Sequence, residues 1–404
     1  QKIENRAIVG INLSTIHSLT TTFGFHYTQS LIKNIVAVLN KYGTDQRKLF
    51  IIYENHFVFY LTEYQDKKEL VGFCKTIAKT LEYLLTAERV NGGIGVVEIN
   101  QYNENDVNQL LKKLLIASEK SIEMNEGDFG ICFYDQEIEA QVIREQNIEN
   151  ELTRIVADES NGGLYLQFQP ILDLSSNQIC GFEGLARLKS EKLGQIQPLE
   201  FIPIAEETKL IIPIGKKIIL QALRFLRRLK EYGFEDMNVS INISVIQLLR
   251  DGFHENLLEM IHNMQVDPNN IGIEITESVF TSDYDKINRI LGELRKAALC
   301  TAIDDFGTGY SSLARERELN INCLKIDKYF IDKLMYLEPE KTITDDIISM
   351  AHNLDHFVIA EGVEYEKQRQ YLYDCGCDKI QGYLISKPLN EEEALEFLKK
   401  NKKN

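Results

Sequence analysis

Beyond Gly163, a repeated unit ends each time in a residue able to do chemistry. Short apolar runs terminate in Glu183, Asn242, Glu274 with Glu277, Asp304 with Asp305, Lys325 with Asp327, Glu361 and Gln381. Taken singly, an acid after a strand is often only the N-cap of the next helix. Seven segments that share this position instead describe one site assembled from separate strands. The side chains select its chemistry. Glu183, Asn242, Glu274 and Asp304 offer hard oxygen donors without imidazole or thiolate, a set that favours Mg²⁺ or Mn²⁺ over Zn²⁺. Neighbouring Asp304 and Asp305, crowded with Glu274, repel one another unless cations neutralise them. Two ions about 3.5 to 4 Å apart are the arrangement used for in-line displacement at phosphorus. Lys325, amid these acids, either orients a hydroxide and stabilises transition-state charge or forms a structural salt bridge to Asp304 or Asp305.

Such residues meet only if the strands carrying them lie side by side. The apolar runs occupy 165–169, 179–187, 239–244, 271–277, 299–305, 323–327, 357–361 and 379–383, with helical patterns between them at 216–232, 285–298 and 342–354. Eight strand candidates alternating with helices over 160–404 predict an α/β fold, a (β/α)8 TIM-like barrel, whose parallel strands end at one rim. A doubly wound open sheet is the alternative, but its Gly-rich phosphate turn is missing. Gly307 and Gly309 follow the acidic pair in 305–312 and give the backbone freedom for a metal-site loop or an ordinary turn.

The first part of the chain reads as an α+β domain. Strand-like 7–13, helical 28–39, a strand hairpin over 49–61, helical 68–85, a strand over 94–99 and an amphipathic helix over 106–124 follow in order. The expected organisation is this domain at 1–136, a charged, Gly- and Pro-free helical linker at 137–159, and the barrel at 160–404.

Bulk composition narrows the partners. The 404 residues are 44% hydrophobic and 26% charged, so disorder and low-complexity structure are excluded as the main story. With 45 Lys and Arg against 61 Asp and Glu, the formal charge is −16, which argues against nucleic-acid polymers and anionic lipid. Any phosphate must be gripped locally. Cys74, Cys132, Cys180, Cys300 and Cys323 lie in apolar context and read as reduced core residues, while Cys375 and Cys377 have no second ligand pair beside them. No apolar run approaches the ~20 residues of a membrane span. The expected location is the cytoplasm, either as a free protein or as the cytosolic part of a longer, membrane-anchored one, since the sequence starts at Gln1 rather than Met.

Through 160–392 the motifs stand in a telling order: Gln169-Pro170-Ile171, Glu183-Gly184-Leu185-Ala186-Arg187, Phe201-Ile202-Pro203, Asn242-Ile243-Ser244, Glu274-Ile275-Thr276-Glu277, Lys325-Ile326-Asp327, Ala360-Glu361-Gly362 and Gln381-Gly382-Tyr383. This resembles the EAL family of cyclic-di-GMP phosphodiesterases, with Glu-Gly-Leu where that family usually has Glu-Ala-Leu. The resemblance implies hydrolysis of cyclic di-GMP to linear pGpG by in-line attack of metal-bound hydroxide, with two Mg²⁺ or Mn²⁺ ions. Glu183, Asn242, Glu274 and Asp304 would hold one ion, Asp304 would bridge, and Asp305 would hold the second. Glu361, also a ligand, and Gln381 would position the attacking water, and Lys325 would assist it. Glu277 would brace the Asp304 loop, and Gln169 and Arg187 would contact the dinucleotide. A non-hydrolytic cyclic-di-GMP receptor is the alternative, although it has no need of Asp305, Lys325 and Glu361 together. A glycoside hydrolase would need a carboxylate pair and usually aromatic sugar platforms, and the chain has no Trp.

The first domain more faintly resembles the GGDEF diguanylate-cyclase fold, through 8–13, Phe23-Gly24, the hairpin turn Tyr53-Glu54-Asn55-His56-Phe57, 92–96 and Phe133-Tyr134-Asp135. Tyr53 and Glu54 replace the two glycines of that signature, His56 replaces an acid, and Asn12 and Ser14 replace the metal-binding acids. Thr44 and Arg47 occupy the places of the inhibitory Arg-x-x-Asp. The resemblance implies an inactive cyclase-like domain in a regulatory role, with GTP or another effector as a possible ligand and a homodimer as the assembly.

Overall fold

The structure is a computed structural model that describes residues 5–13, 16–53, 55–86, 90–99, 106–123, 129–157, 162–307, 317–336 and 342–401. Ser14, Glu54 and the loop residues Thr308 to Ser312 lie outside the described residues. The chain divides into two compact units, Gln1–Arg144 and Glu145–Asn404.

The first unit runs β1 (Arg6–Asn12), α1 (Ile16–Phe23), α2 (Phe25–Asn40), β2 (Arg47–Tyr53), β3 (His56–Leu61), α3 (Lys67–Leu85), β4 (Gly92–Ile99), α4 (Val107–Glu123) and β5 (Phe129–Phe133). Its sheet has the order β2-β3-β1-β4-β5, with β1 antiparallel to both β3 and β4, and β4 parallel to β5. Strand β1 is apolar along nearly its whole length because helices cover both faces. Ala7, Val9 and Ile11 pack with Ile35 of α2 and Ile77 of α3, whereas Ile8 packs with Leu110 and Leu114 of α4. Gly10 lies directly beneath Leu114, where an added Cβ would stand 2.6 Å from the leucine Cγ.

A single helix, α5 (Gln136–Ala157), covers most of the segment expected as a linker. Its Ile148, Leu152 and Ile155 are buried in the core of the second unit. The apolar spacing that suggested a helix therefore also marks a face that packs.

The second unit continues with β6 (Leu164–Asp173), β7 (Gln178–Ser190), β8 (Gly194–Ile196), α6 (Pro198–Glu207), α7 (Ile211–Glu231), β9 (Asn238–Asn242), α8 (Val245–Leu248), α9 (Phe253–Asn263), β10 (Ile271–Thr276), α10 (Tyr284–Lys296), β11 (Cys300–Phe306), β12 (Cys323–Ile326), α11 (Lys328–Lys333), α12 (Thr344–Asn353), β13 (Phe357–Ala360), α13 (Glu366–Asp374), β14 (Lys379–Gln381) and α14 (Glu391–Asn401). Eight strands close in the order β6-β14-β13-β12-β11-β10-β9-β7, with β6 and β7 also paired, and β8 extends from β7. The expectation of eight parallel strands needs one correction. Strands β7, β9, β10, β11, β12, β13 and β14 are mutually parallel, but β6 runs antiparallel to both β7 and β14. Only residues 174–177 join β6 to β7. So short a link allows a hairpin, whereas a parallel pair needs a crossover of a dozen or more residues. Asp173 fastens the turn by accepting from Ser175 Oγ at 2.7 Å and Ser176 N at 2.8 Å.

Helix α7 seals the hairpin side of the barrel, its Phe225 stacking on Phe168 with ring centroids 3.8 Å apart and meeting Phe182 edge-on at 5.7 Å. Among the described residues, no helix is long and apolar enough to cross a membrane.

Candidate active site

The parallel strands turn their carboxyl-end side chains into one cluster. Asn242 of β9 lies level with Glu274 of β10, whose strand in turn places Thr276 level with Asp304 of β11. Gln169 arrives on the antiparallel β6 and is still level with Glu183 of β7. At the centre lies Lys325 of β12, fully buried. Its Nζ is 2.5 Å from Glu274 Oε2, 2.5 Å from Glu361 Oε1, 3.1 Å from Asp304 Oδ1 and 3.4 Å from Glu183 Oε2. Amides complete the first turn of the rim: Asn242 Nδ2 donates to Glu183 Oε1 at 2.7 Å, and Gln381 Nε2 donates to Glu183 Oε2 at 2.7 Å and to Gln169 Oε1 at 3.1 Å. Gln381 Oε1 is buried and meets no hydrogen-bond partner among the described residues.

The charges are unbalanced. One lysine faces four carboxylates directly, with Asp305 beside them, and their proton affinities record the excess. Burial would lower Lys325, but Asp304, Glu183, Glu274 and Glu361 hold it well above its ordinary value. Burial would raise Glu183, yet Lys325 and the amides of Gln381 and Asn242 bring it below the usual carboxylate range. Glu274 goes the other way, pushed well up by burial and by the charge of Glu183. Burial raises Asp304 despite Lys325, and it raises Glu361 to about 8 and Asp305, with help from Asp304, to about 6. Carboxyls that hold protons so far above their usual range are short of positive charge, which a divalent cation would supply.

Two triads have ligand atoms within 4.8 Å of one another: Glu183, Glu274 and Asp304, and Asp304, Asp305 and Glu361. Both are oxygen-only, the donor set suited to hard cations. The second triad requires a departure from regular strand geometry, because consecutive strand residues point to opposite faces. The pairing of β11 with β12 shifts register between Ile303 and Phe306, and Asp305 adopts the left-handed conformation with φ 55°. This bulge turns Asp305 back toward Asp304 and Glu361. Behind it, Glu277 Oε1 accepts from Gly307 N at 2.6 Å, and Gly307 has φ 94°.

The remaining sequence-predicted residues lie nearby with other partners. Arg187 stands four residues beyond Glu183 on the same side of β7, its Nε donating to Gln167 Oε1 at 2.7 Å and its Nη1 to Ala186 O at 3.0 Å. Asp327 caps α11 by accepting from Tyr329 N at 2.8 Å. Sequence reasoning missed Glu206 and Ser386. Ser244 Oγ, two residues past Asn242, donates to Glu206 Oε1 at 2.5 Å, and Gln169 Nε2 donates to Ser386 O at 3.3 Å. Both partners are distant in sequence, and one acts through its backbone, so no motif announced them.

Residues 149–388, more than half of the chain, match the EAL domain family. The chain is 34% identical over 303 residues to the signaling protein YkoW of Bacillus subtilis, covering 75% of this chain and 37% of that protein. It is 31% identical over 271 residues to the bifunctional diguanylate cyclase/cyclic di-GMP phosphodiesterase MucR of Pseudomonas aeruginosa, covering 67% and 39%. The chain thus spans about two fifths of the length of these relatives. Among solved structures, the EAL enzyme Bd1971 in its cAMP and cyclic-di-GMP bound form matches with a TM-score of 0.60 at 28% identity, over 85% of this chain and 81% of that one.

Proposed function

This chain belongs to the EAL domain family, and from that premise we propose that it hydrolyses one phosphodiester bond of cyclic di-GMP to give linear pGpG, with two divalent cations, Mg²⁺ or Mn²⁺. The observation that carries the reading is the pair of carboxylate triads sharing Asp304 around one buried lysine. Relatives support the substrate: MucR is named a cyclic di-GMP phosphodiesterase, and Bd1971 was solved with cyclic di-GMP bound.

Glu183, Asn242, Glu274 and Asp304 would hold one ion, and Asp304, Asp305 and Glu361 the other. Bound there, the cations would polarise a water and neutralise phosphate charge. The chain's own groups do the rest. Glu361, a carboxylate of the second triad, would position the attacking water. Gln381 offers its partnerless Oε1 to orient that water. Lys325 keeps its proton and stabilises the charge that grows on the attacked phosphate. Glu277 fixes the backbone after Asp305. Gln169 and Arg187 would grip the dinucleotide, Arg187 by a charge-assisted contact to phosphate that suits an otherwise acidic chain.

For the first unit we propose an inactive cyclase-like domain with a regulatory role, open to GTP or another effector, in a homodimer. Its element order and antiparallel hairpin support the fold. Asn12, buried at the end of β1 and level with His56, puts an amide where a cyclase carries a metal-binding acid.

The test is to incubate the protein with cyclic di-GMP and Mg²⁺ or Mn²⁺ and to follow linear product by chromatography. Turnover that depends on the cation is the expected result. Tight binding without turnover under either cation would replace this reading with a receptor.

A further inference from the structure

We propose that the barrel interior beneath the catalytic cluster is a second binding site, for a small neutral aromatic molecule carrying one hydrogen-bonding group, of the phenol class. The inference stands apart from the hydrolysis proposed above and needs neither cation nor dinucleotide.

Barrels of this architecture normally fill their interior with layers of bulky branched side chains. Here four neighbouring strands, β7, β9, β10 and β11, contribute Gly181, Ser240, Gly272 and Ala302 to the interior wall. So little side-chain volume on one side leaves a cavity of about 170 Å³. A cavity of roughly 150 Å³ with apolar walls is enough to bind benzene.

The walls are chemically selective. Ile171, Ala302, Cys323 and Ile359 form a buried apolar cluster of their own, separate from the main core, and Phe357 packs against it. Glu274 closes the upper end, with its Oε2 turned to Lys325 Nζ at 2.5 Å. Asn238, Cys300, Phe357 and Lys379 are the first residues of their strands, so the lower end of the cavity lies at the amino ends of the barrel. Within the wall, Ser240 Oγ is buried and meets no hydrogen-bond partner among the described residues. An apolar space with one unsatisfied hydroxyl fits a ring with a single polar group. A buried hydroxyl left unpaired costs free energy, which such a ligand recovers. The thiols do not redirect the site toward a soft metal, because burial keeps Cys323 and Cys300 protonated, Cys300 up to about 11.

The test uses the full chain, with phenol and benzene as probes, followed by calorimetry and ligand-observed NMR. Saturable binding of both is expected, with phenol favoured about threefold to tenfold by one neutral hydrogen bond. Ser240→Ala should remove that preference and keep benzene binding. Ala302→Val, and independently Cys323→Met should the first variant fail to fold, should fill the space and abolish binding of both probes. Absence of saturable binding of either probe to the unmodified chain overturns the proposal. Binding that persists unchanged in a folded filling variant overturns it too.

Discussion

Glu277 holds the amide of Gly307 at 2.6 Å across thirty residues of sequence, and so fixes the backbone immediately after the two acidic residues of β11. A carboxylate accepting from a backbone N–H is a charge-assisted bond, stronger than a neutral one. Glu277→Ala is expected to loosen the bulge at Asp305 and lower turnover about 10- to 100-fold, from a contact of about 1.5–3 kcal/mol. Because Glu277 acts through Asp305, the variant should also weaken Mn²⁺ binding measured by calorimetry without substrate, and Glu277→Gln should recover part of both. Unchanged metal affinity would show that the bond is structural only.

Among the described residues, Lys325 is the sole ammonium in contact with Glu183, Glu274, Asp304 and Glu361. Lys325→Met leaves those acids uncompensated in a buried place, and removal of one partner from such a set costs about 3–5 kcal/mol. The metal-free variant should therefore melt well below the parent chain, with partial recovery in Mn²⁺. Turnover should fall at least about 100-fold even in saturating cation. Thermal denaturation with and without Mn²⁺, beside a rate assay, checks both parts.

The raised acids give a pH dependence with a definite sign. Asp305 at about 6 and Glu361 at about 8 hold protons that their unfolded counterparts, at 3.8 and 4.5, have lost. Their contribution to the stability of the metal-free chain is fully present below those unfolded values and is lost as pH rises toward 8. Cation binding must displace the same protons, so affinity for Mn²⁺ should climb from pH 6 to 8 and then flatten. Calorimetry in two buffers of different ionisation enthalpy should report proton release below pH 8. A pH-independent affinity would contradict the charge state assigned to this cluster.

Gly184 stands where a family signature usually has Ala, and the wall around it is close but not closed. An added Cβ would lie 3.3 Å from Ile241 Cγ2 and 3.3 Å from Ser240 O. A glycine in a strand interior weakens it by roughly 0.5–1 kcal/mol relative to Ala, and the tight contacts offset part of the gain. Gly184→Ala should therefore keep full turnover and change unfolding free energy by less than about 1 kcal/mol. Urea unfolding and a rate assay decide it.

In the first unit, His56 Nδ1 pairs with Asn55 Oδ1 at 2.8 Å at the hairpin turn. Asn55→Ala should leave hydrolysis of cyclic di-GMP unchanged, and the parent chain should make no cyclic dinucleotide from GTP. Product formation from GTP would remove the inactive-domain reading.

The sequence by itself determined the eight strands that close the barrel, the chemical residue on or beside each, and that most of their donors are oxygen, though it missed β8 and the extension of β7 to Ser190. Those properties follow from local patterning, apolar runs closed by a polar residue, which is legible in one dimension. It also carried the ordered motifs from Gln169 to Tyr383 and a helix expected at 137–159, which the structure has at 136–157. What the tertiary structure alone decided was direction and depth. Nothing local revealed that β6 runs against its neighbours, because that depends on how four turn residues close a hairpin. The sequence put Asp305 with Asp304 in the cluster but gave no means for it, because regular strand alternation would send it to the opposite face, and only the bulge with positive φ returns it. The choice left open for Lys325, between a salt bridge and a catalytic ammonium, rested on an assumption that burial removes. Glu183, Glu274, Asp304 and Glu361 enclose its ammonium as a salt-bridge set, and the charges that anchor it also keep in place the proton that the proposed catalytic role requires.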